Sequence, residues 1–148
     1  MCITRKKIIF LIPFIFAAFS INAQGNKVQD VEKTVIIITV NNREFEAELI
    51  NSPTSQYLLG KLPFTIEMRD LHNNEKFFYF QNKFPTNMQS IGNIKAGDLM
   101  LYGDDCLVLF YESFSTTYRY TRIGSIVDAK GLIDTLGPGS VKITFRKK

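Results

Sequence analysis

Between positions 111 and 122 the sequence reads YESFSTTYRYTR, which places Tyr111, Phe114, Tyr118 and Tyr120 beside Glu112, Arg119 and Arg122. Phenyl and phenol rings give apolar contact with a polar tip, and a guanidinium donates paired hydrogen bonds to a carbonyl or carboxylate. That mixture suits an extended peptide or a small amphipathic ligand. An earlier polar stretch, 82–93, carries Asn87, Met88 and Gln89 and would complete a site if the two segments meet. The candidate ligand-binding set is therefore Asn87, Gln89, Tyr111, Glu112, Phe114, Tyr118, Tyr120 and Arg122. The plainer alternative is that alternate residues of Tyr118–Arg122 simply pack in a strand.

Other chemistries find less material. His72, the sole histidine, sits in the turn-like run DLHNNEK. With one His and two Cys, the usual His/Cys metal clusters cannot be assembled. Asp104-Asp105 could help hold a hard cation, but two carboxylates beside Gly103 are ordinary turn chemistry. Asp98, after Ala96-Gly97, is expected to bond nearby backbone rather than act as a base. A Ser-His-Asp triad would need His72, and no nucleophile motif accompanies it. No phosphate-binding or dinucleotide fingerprint occurs, so neither a metal nor a cofactor is expected.

The elements that would position these residues are mostly strands. Thr34–Val40 (TVIIITV) is a β-branched run. Asn41-Asn42 is a turn dipeptide, and Arg43–Leu49 alternates apolar and polar, so the pair predicts a hairpin. Ser52-Pro53 opens a short helix carrying Leu58 and Leu62 on one face. Phe64–Met68 and Lys76–Gln81 are strands flanking a turn at Asp70–Glu75, and Asn82–Asn93 reads as a long loop. Asp98–Tyr102 and Cys106–Tyr111 have little polar alternation, so both of their faces must be covered. Ser113–Tyr120 reads as a loop and Thr121–Val127 as a strand. Asp128 is the expected cap of a second helix with Leu132, Ile133 and Leu136 inward, and Val141–Phe145 alternates in a last strand. About eight short strands, two short helices and regularly spaced turn signals predict a β-barrel or sandwich.

The first 23 residues read as a secretory signal. Arg5, Lys6 and Lys7 precede the apolar run Ile8–Ile21, and Ala23 offers a small residue at the cleavage position. Residues 24–33 read as a flexible leader and 34–148 as the domain. Export to the periplasm or extracellular space is thus expected, with no stable membrane span after signal removal. The whole chain carries 18 basic and 14 acidic residues. The signal takes three basic residues and no acidic one, so the remainder carries +1 and gives no electrostatic case for nucleic acid. Cys2 leaves with the signal, so Cys106 stands alone and is expected to be buried as a small hydrophobe.

The runs VNNREFEAELINSPTSQYLLGKLPFTIEM, EKFFY and IKAGDLMLYGDDCLVLFYESFSTTYRYTRIG resemble the bacterial cyclophilin-like domain family, from about Ile38 to Phe145. The resemblance implies a mainly β fold: a closed eight-stranded barrel with helices covering its openings. It implies less about activity, because many members have none assigned. True cyclophilins are peptidyl-prolyl isomerases with an arginine that hydrogen-bonds the twisting amide. Ala96-Gly97-Asp98 is similar to their Gly-Gly-Asp. In that alignment the arginine position holds Asn87 and the glutamine position holds Lys95. The sequence therefore favours an exported cyclophilin-like domain that binds a peptide or small ligand without strong catalysis. A divergent isomerase using Arg119 or Arg122 and a structural subunit of an envelope assembly remain alternatives.

Overall fold

The computed structural model describes residues 33–148; the expected signal segment and nearly all of the expected leader lie outside them. Lys33, at the end of the expected leader, is exposed and pairs with Glu48 at 2.8 Å. The β-branched run Thr34–Val40 forms β1 and Arg43–Leu49 forms β2. Asn41 and Asn42 turn the chain between them with φ of 46° and 63°, a backbone region Asn tolerates better than most residues. The register sets Ile38 opposite Phe45 on one side and Phe145 on the other. All three side chains are buried in the main core, each contributing roughly 1.5–3 kcal/mol of apolar burial.

The remaining strands are β3 (Phe64–Leu71), β4 (Glu75–Tyr79), β5 (Gln89–Ile94), β6 (Asp98–Tyr102), β7 (Cys106–Phe110), β8 (Phe114–Ile126) and β9 (Val141–Lys147). Together with β1 and β2, all of these but β5 close an eight-stranded antiparallel barrel in the order β2-β1-β9-β3-β4-β7-β6-β8 and back to β2. Closure removes open sheet edges. It depends on Gly124, which pairs with Leu49, because a Cβ there would collide with the Glu48 carbonyl oxygen and Leu49. Beside it β8 bulges: Leu99 pairs with Gly124 but Met100 pairs with Arg122. The Ile123 carbonyl at the bulge accepts from Ile50 N and Ser55 Oγ, both at 2.9 Å.

Both long loops expected from the sequence contain strand instead. Ser113–Tyr120 is mostly the first half of β8, and residues 89–93 belong to β5. The two pair antiparallel, Gln89 with Tyr120 and Ile94 with Phe114. Serine, threonine and glycine made these segments look irregular, but cross-strand pairing satisfies their backbone all the same. The described residues thus form nine strands, with β5 added to the eight-stranded barrel. The β5–β8 ribbon lies over the outer face of β6 and β7. There Ile94, Met100, Cys106, Val108, Phe110 and Tyr120 form a second core, with Phe77, Ile91 and Phe114 packed against it. This second core is the cover that the unbroken apolar runs of β6 and β7 required.

Pro53–Lys61 forms α1, with Ser52 Oγ accepting from Ser55 N at 3.1 Å as the expected N-cap. Leu58 is buried in the main core, whereas Leu62 lies just past the helix end. The second helix, α2, spans Leu132–Leu136, and its expected cap is corrected. Gly131 occupies the N-cap with φ 73°, while Asp128 Oδ1 instead accepts from Lys130 N. The Arg43 guanidinium donates to the Lys130 carbonyl at 2.7 Å and packs where a Gly131 side chain would stand. Leu132 and Leu136 are buried, but Ile133 is exposed rather than inward, since so short a helix buries only one edge. The turn after β3 is also shorter than expected, because β3 continues through Asp70 and Leu71.

Candidate functional site

Strand alternation distributes chemistry between the two faces of β4. Lys76 and Phe78 point into the barrel, while Glu75 and Phe77 point outward. The inward arrangement is closed. Lys76, fully buried, donates to Asp70 Oδ2 at 2.6 Å and to the carbonyls of Gly137 and Gly139 at 2.7 Å each. Tyr111, also inward, donates its hydroxyl to Asp70 Oδ2 at 2.6 Å. Burial pushes the Asp70 carboxyl up, but bonds from Lys76, Tyr111 and the Asn73 amide outweigh it and hold its pKa below the usual range. Burial, and then the bond to Asp70, push the Tyr111 hydroxyl well up.

The outward arrangement is open. Between the first half of β8 and the outer face of β3, β4, β6 and β7 lies a cavity of about 720 Å³. Its walls include Phe77, Tyr79, Tyr102, Phe114, Tyr118 and Tyr120. The rings brace one another: Tyr102 meets Tyr118 at 6.2 Å and Tyr120 at 5.6 Å between centroids, and Phe110 meets Phe114 at 5.7 Å and Tyr120 at 5.5 Å. Such edge-on and tilted pairings are the favoured aromatic geometries. Arg69, also on the wall, places its guanidinium 4.8 Å from the Phe77 ring centroid.

Glu75 and Asn74 supply the polar groups at one end. Glu75 is cross-strand from Phe110, and the residue is 9% exposed. Burial, reinforced by the nearby Asp70 carboxylate, pushes its pKa up to about 7. Asn74 Oδ1 is buried without a hydrogen-bond partner, while the Asn74 backbone carbonyl accepts from Tyr111 N at 3.0 Å. Burial also raises the Cys106 thiol to about 11 and the Tyr120 hydroxyl to about 12, so both stay neutral around pH 7. Cys106 is buried, as expected of a lone strand cysteine. His72 lies exposed in the turn, at φ 53°, on the cavity's edge.

The eight residues singled out by sequence separate into distinct places. Phe114, Tyr118 and Tyr120 line the aromatic cavity. Asn87, Gln89 and Arg122 instead line a second cleft of about 270 Å³ with Thr54, Pro85 and Thr121. There Asn87 N donates to Thr121 Oγ1 at 3.0 Å. Tyr111 belongs to the interior network, because β7 alternation carries its ring inward with Leu107 and Leu109. Glu112 is exposed just after β7. The two segments do meet, but as paired strands whose neighbouring residues face different spaces. Arg119 donates to the Met88 carbonyl at 2.8 Å, and Arg122 Nη1 stands 4.0 Å from Asp98 Oδ2. Asp98 accepts from Lys95 N at 2.9 Å, the local backbone bond expected of it.

Sequence reasoning missed Glu75, Asn74, Tyr79 and Tyr102 as cavity residues. A usable signal existed in EKFFY, where a glutamate opens a strand with aromatics two and four residues on, and so shares their face. Tyr102 stands outside the motif because it reaches the cavity from a different strand. Among the described residues no group of three or more His, Cys, Asp or Glu is arranged to hold a metal ion. No described helix is long and apolar enough to cross a membrane.

Comparison with known proteins agrees with this architecture. The solution structure of a hypothetical protein from Archaeoglobus fulgidus is similar, with a TM-score of 0.56 over 78% of this chain and 95% of that one. At 18% identity that likeness concerns the fold alone. No curated protein matches the sequence. The sequence pattern of the cyclophilin-like family matches residues 38–146, a span that takes in the barrel from β1 to β9 and both clefts, and the chain belongs to that family.

Proposed function

We propose that this is an exported binding domain that takes a small amphipathic ligand, or one side chain of a peptide, in the aromatic cavity. The cavity itself carries the proposal. At about 720 Å³ it falls within the size range of small-molecule sites. Its apolar walls end in a few convergent polar groups, the usual composition of such sites. It is also built on strands rather than on a mobile loop, so its shape is preformed. Export rests on the basic and apolar pattern of residues 1–23.

Fragment binding followed by NMR on the full chain tests the cavity. Compounds that shift resonances of Phe114, Tyr118 and Tyr120 should lose at least tenfold in affinity in Tyr118→Ala, since truncating a tyrosine hot spot costs about 2 kcal/mol or more. Arg122→Ala, in the other cleft, should leave the same compounds unaffected. Equal loss in both variants would place the ligand elsewhere. Mass spectrometry of the exported protein should find an N-terminus near Gln24; an intact Met1 would refute the signal.

A second function has one observation in its favour: Arg122 shares the smaller cleft with Asn87 and Gln89. A guanidinium beside amides could favour a twisted prolyl amide over a planar one. A protease-coupled assay on a proline peptide decides this, with isomerase activity expected to vanish in Arg122→Ala.

A further inference from the structure

We propose that the aromatic cavity selects an organic cation, an ammonium or guanidinium group on an apolar body, and that Glu75 is the group that recognises it. This rests on the cavity being the binding site. Three observations point the same way. Four tyrosines, at 79, 102, 118 and 120, come from β4, β6 and β8 to surround one space. Ring faces attract cations, and the wall already holds one, since Arg69 covers Phe77. Glu75 opens into the same cavity with no ion-pair partner among the described residues, unlike Asp70, whose charge Lys76 answers. Asn74, its neighbour on the wall, has an acceptor oxygen without a donor. The site therefore offers ring faces and a carboxyl that no cation pairs with among the described residues, since Arg69 is engaged by the Phe77 ring instead.

The groups around Glu75 leave it as the one that responds near neutrality. From β3, Asp70 is ionised and engaged by Lys76, and Arg69 is charged. From β7 and the residues after it come Cys106, held neutral by burial, Tyr111, neutral and bonded to Asp70, and the exposed Glu112. The hydroxyls of Tyr79 and Tyr120 are pushed up and stay neutral, and Tyr102 and Tyr118 complete the wall. His72, on the intervening turn, is exposed to solvent. A cation in the cavity favours ionised Glu75, so binding expels a proton wherever Glu75 is protonated. By linkage, affinity rises with pH and levels off once the carboxyl is ionised in the free protein.

The test uses the full chain and benzyltrimethylammonium, with neopentylbenzene as its neutral counterpart of the same shape. Calorimetry at pH 6 and pH 8 should show the cation binding about tenfold more tightly at the higher pH. At pH 6.5 the heat should vary with the buffer's ionisation enthalpy, which registers the released proton. Glu75→Gln should abolish both the pH dependence and the proton release while its backbone NMR spectrum stays native. Tyr118→Ala, at an exposed wall, should weaken binding and leave the pH dependence intact. Cation selection is overturned if the neutral compound binds equally well, and the role of Glu75 is overturned if the pH dependence survives in Glu75→Gln. In either case the cavity remains a binding site. If neither compound nor an aromatic fragment panel shifts a cavity resonance, both proposals fall.

Discussion

Lys76 and Glu75 are adjacent in sequence, both buried and both ionisable, and they lie on opposite faces of one strand. On the inner face every formal demand is met. Lys76 has a carboxylate and two carbonyls, and Asp70 has the ammonium, a phenol and a backbone amide. On the outer face Glu75 faces rings and a cavity, and burial, reinforced by the Asp70 carboxylate, pushes its pKa up to about 7. The contrast separates structural burial from functional burial more cleanly than composition could. A satisfied buried pair holds the strands and the α2–β9 connection in place. An unsatisfied carboxyl in a cavity costs stability and is the kind of feature found where a ligand is received.

Breaking the inner network should have the largest effect. Lys76→Met leaves the Asp70 carboxylate without its cation and two carbonyls without a donor. Chemical denaturation should show a loss of about 3–5 kcal/mol. The outer face should respond in the opposite direction. Because the folded-state pKa of Glu75 is raised from 4.5 to about 7, the native protein binds more protons than the unfolded chain between those values. Stability therefore falls as pH rises from about 4.5 to 7 and stays reduced above that. Glu75→Gln should be more stable than the parent by about 3 kcal/mol at pH 8 and equal to it below pH 4. Asp70 runs the other way: its depressed pKa contributes stability present above about 3.8 that is lost as pH falls through the folded value.

The barrel was legible because its signals are local. β-branched runs, the Asn-Asn turn, the Ser-Pro helix start and the strict alternation in β2 and β9 each specify their own conformation. Residues 89–93 and 113–120 were not legible as strands, since Gln89, Ser90, Gly92, Ser115 and Thr116 have weak strand preference. They become strand by pairing with each other across more than twenty residues of sequence. The candidate site was legible only where it coincided with an aromatic cluster. Phe114, Tyr118 and Tyr120 share one outward face, but Tyr111 inverts through β7 alternation. Arg122 departs toward the other cleft at the bulge beside Gly124. Glu75 escaped notice because a glutamate at the start of a strand usually meets water, and only the β8 ribbon across it denies that.

Two smaller changes sharpen the contrast between the faces. Tyr111→Phe removes one charge-assisted donor from Asp70 and leaves the ammonium in place. A loss of roughly 1.5–2 kcal/mol is expected in urea denaturation, well short of the Lys76 effect. Ligand binding in the cavity should be unchanged, because that ring lies inside the barrel.

Tyr118→Ala should affect stability least. Tyr118 is 63% exposed, and among the described rings it meets Tyr102 alone, edge-on at 6.2 Å. Surface substitutions of this kind stay within about 0.5 kcal/mol, so its denaturation midpoint should match the parent. Its effect on cavity binding should nevertheless be among the largest, since an exposed ring on a cavity wall has its area available to a ligand. A side chain that contributes nothing to folding and much to binding is the signature expected of the outer face. If Tyr118→Ala instead unfolded the ribbon, shown by amide exchange collapsing across β5 and the first half of β8, the wall would be a structural cover. The distinction between the two faces would then reduce to their degree of burial.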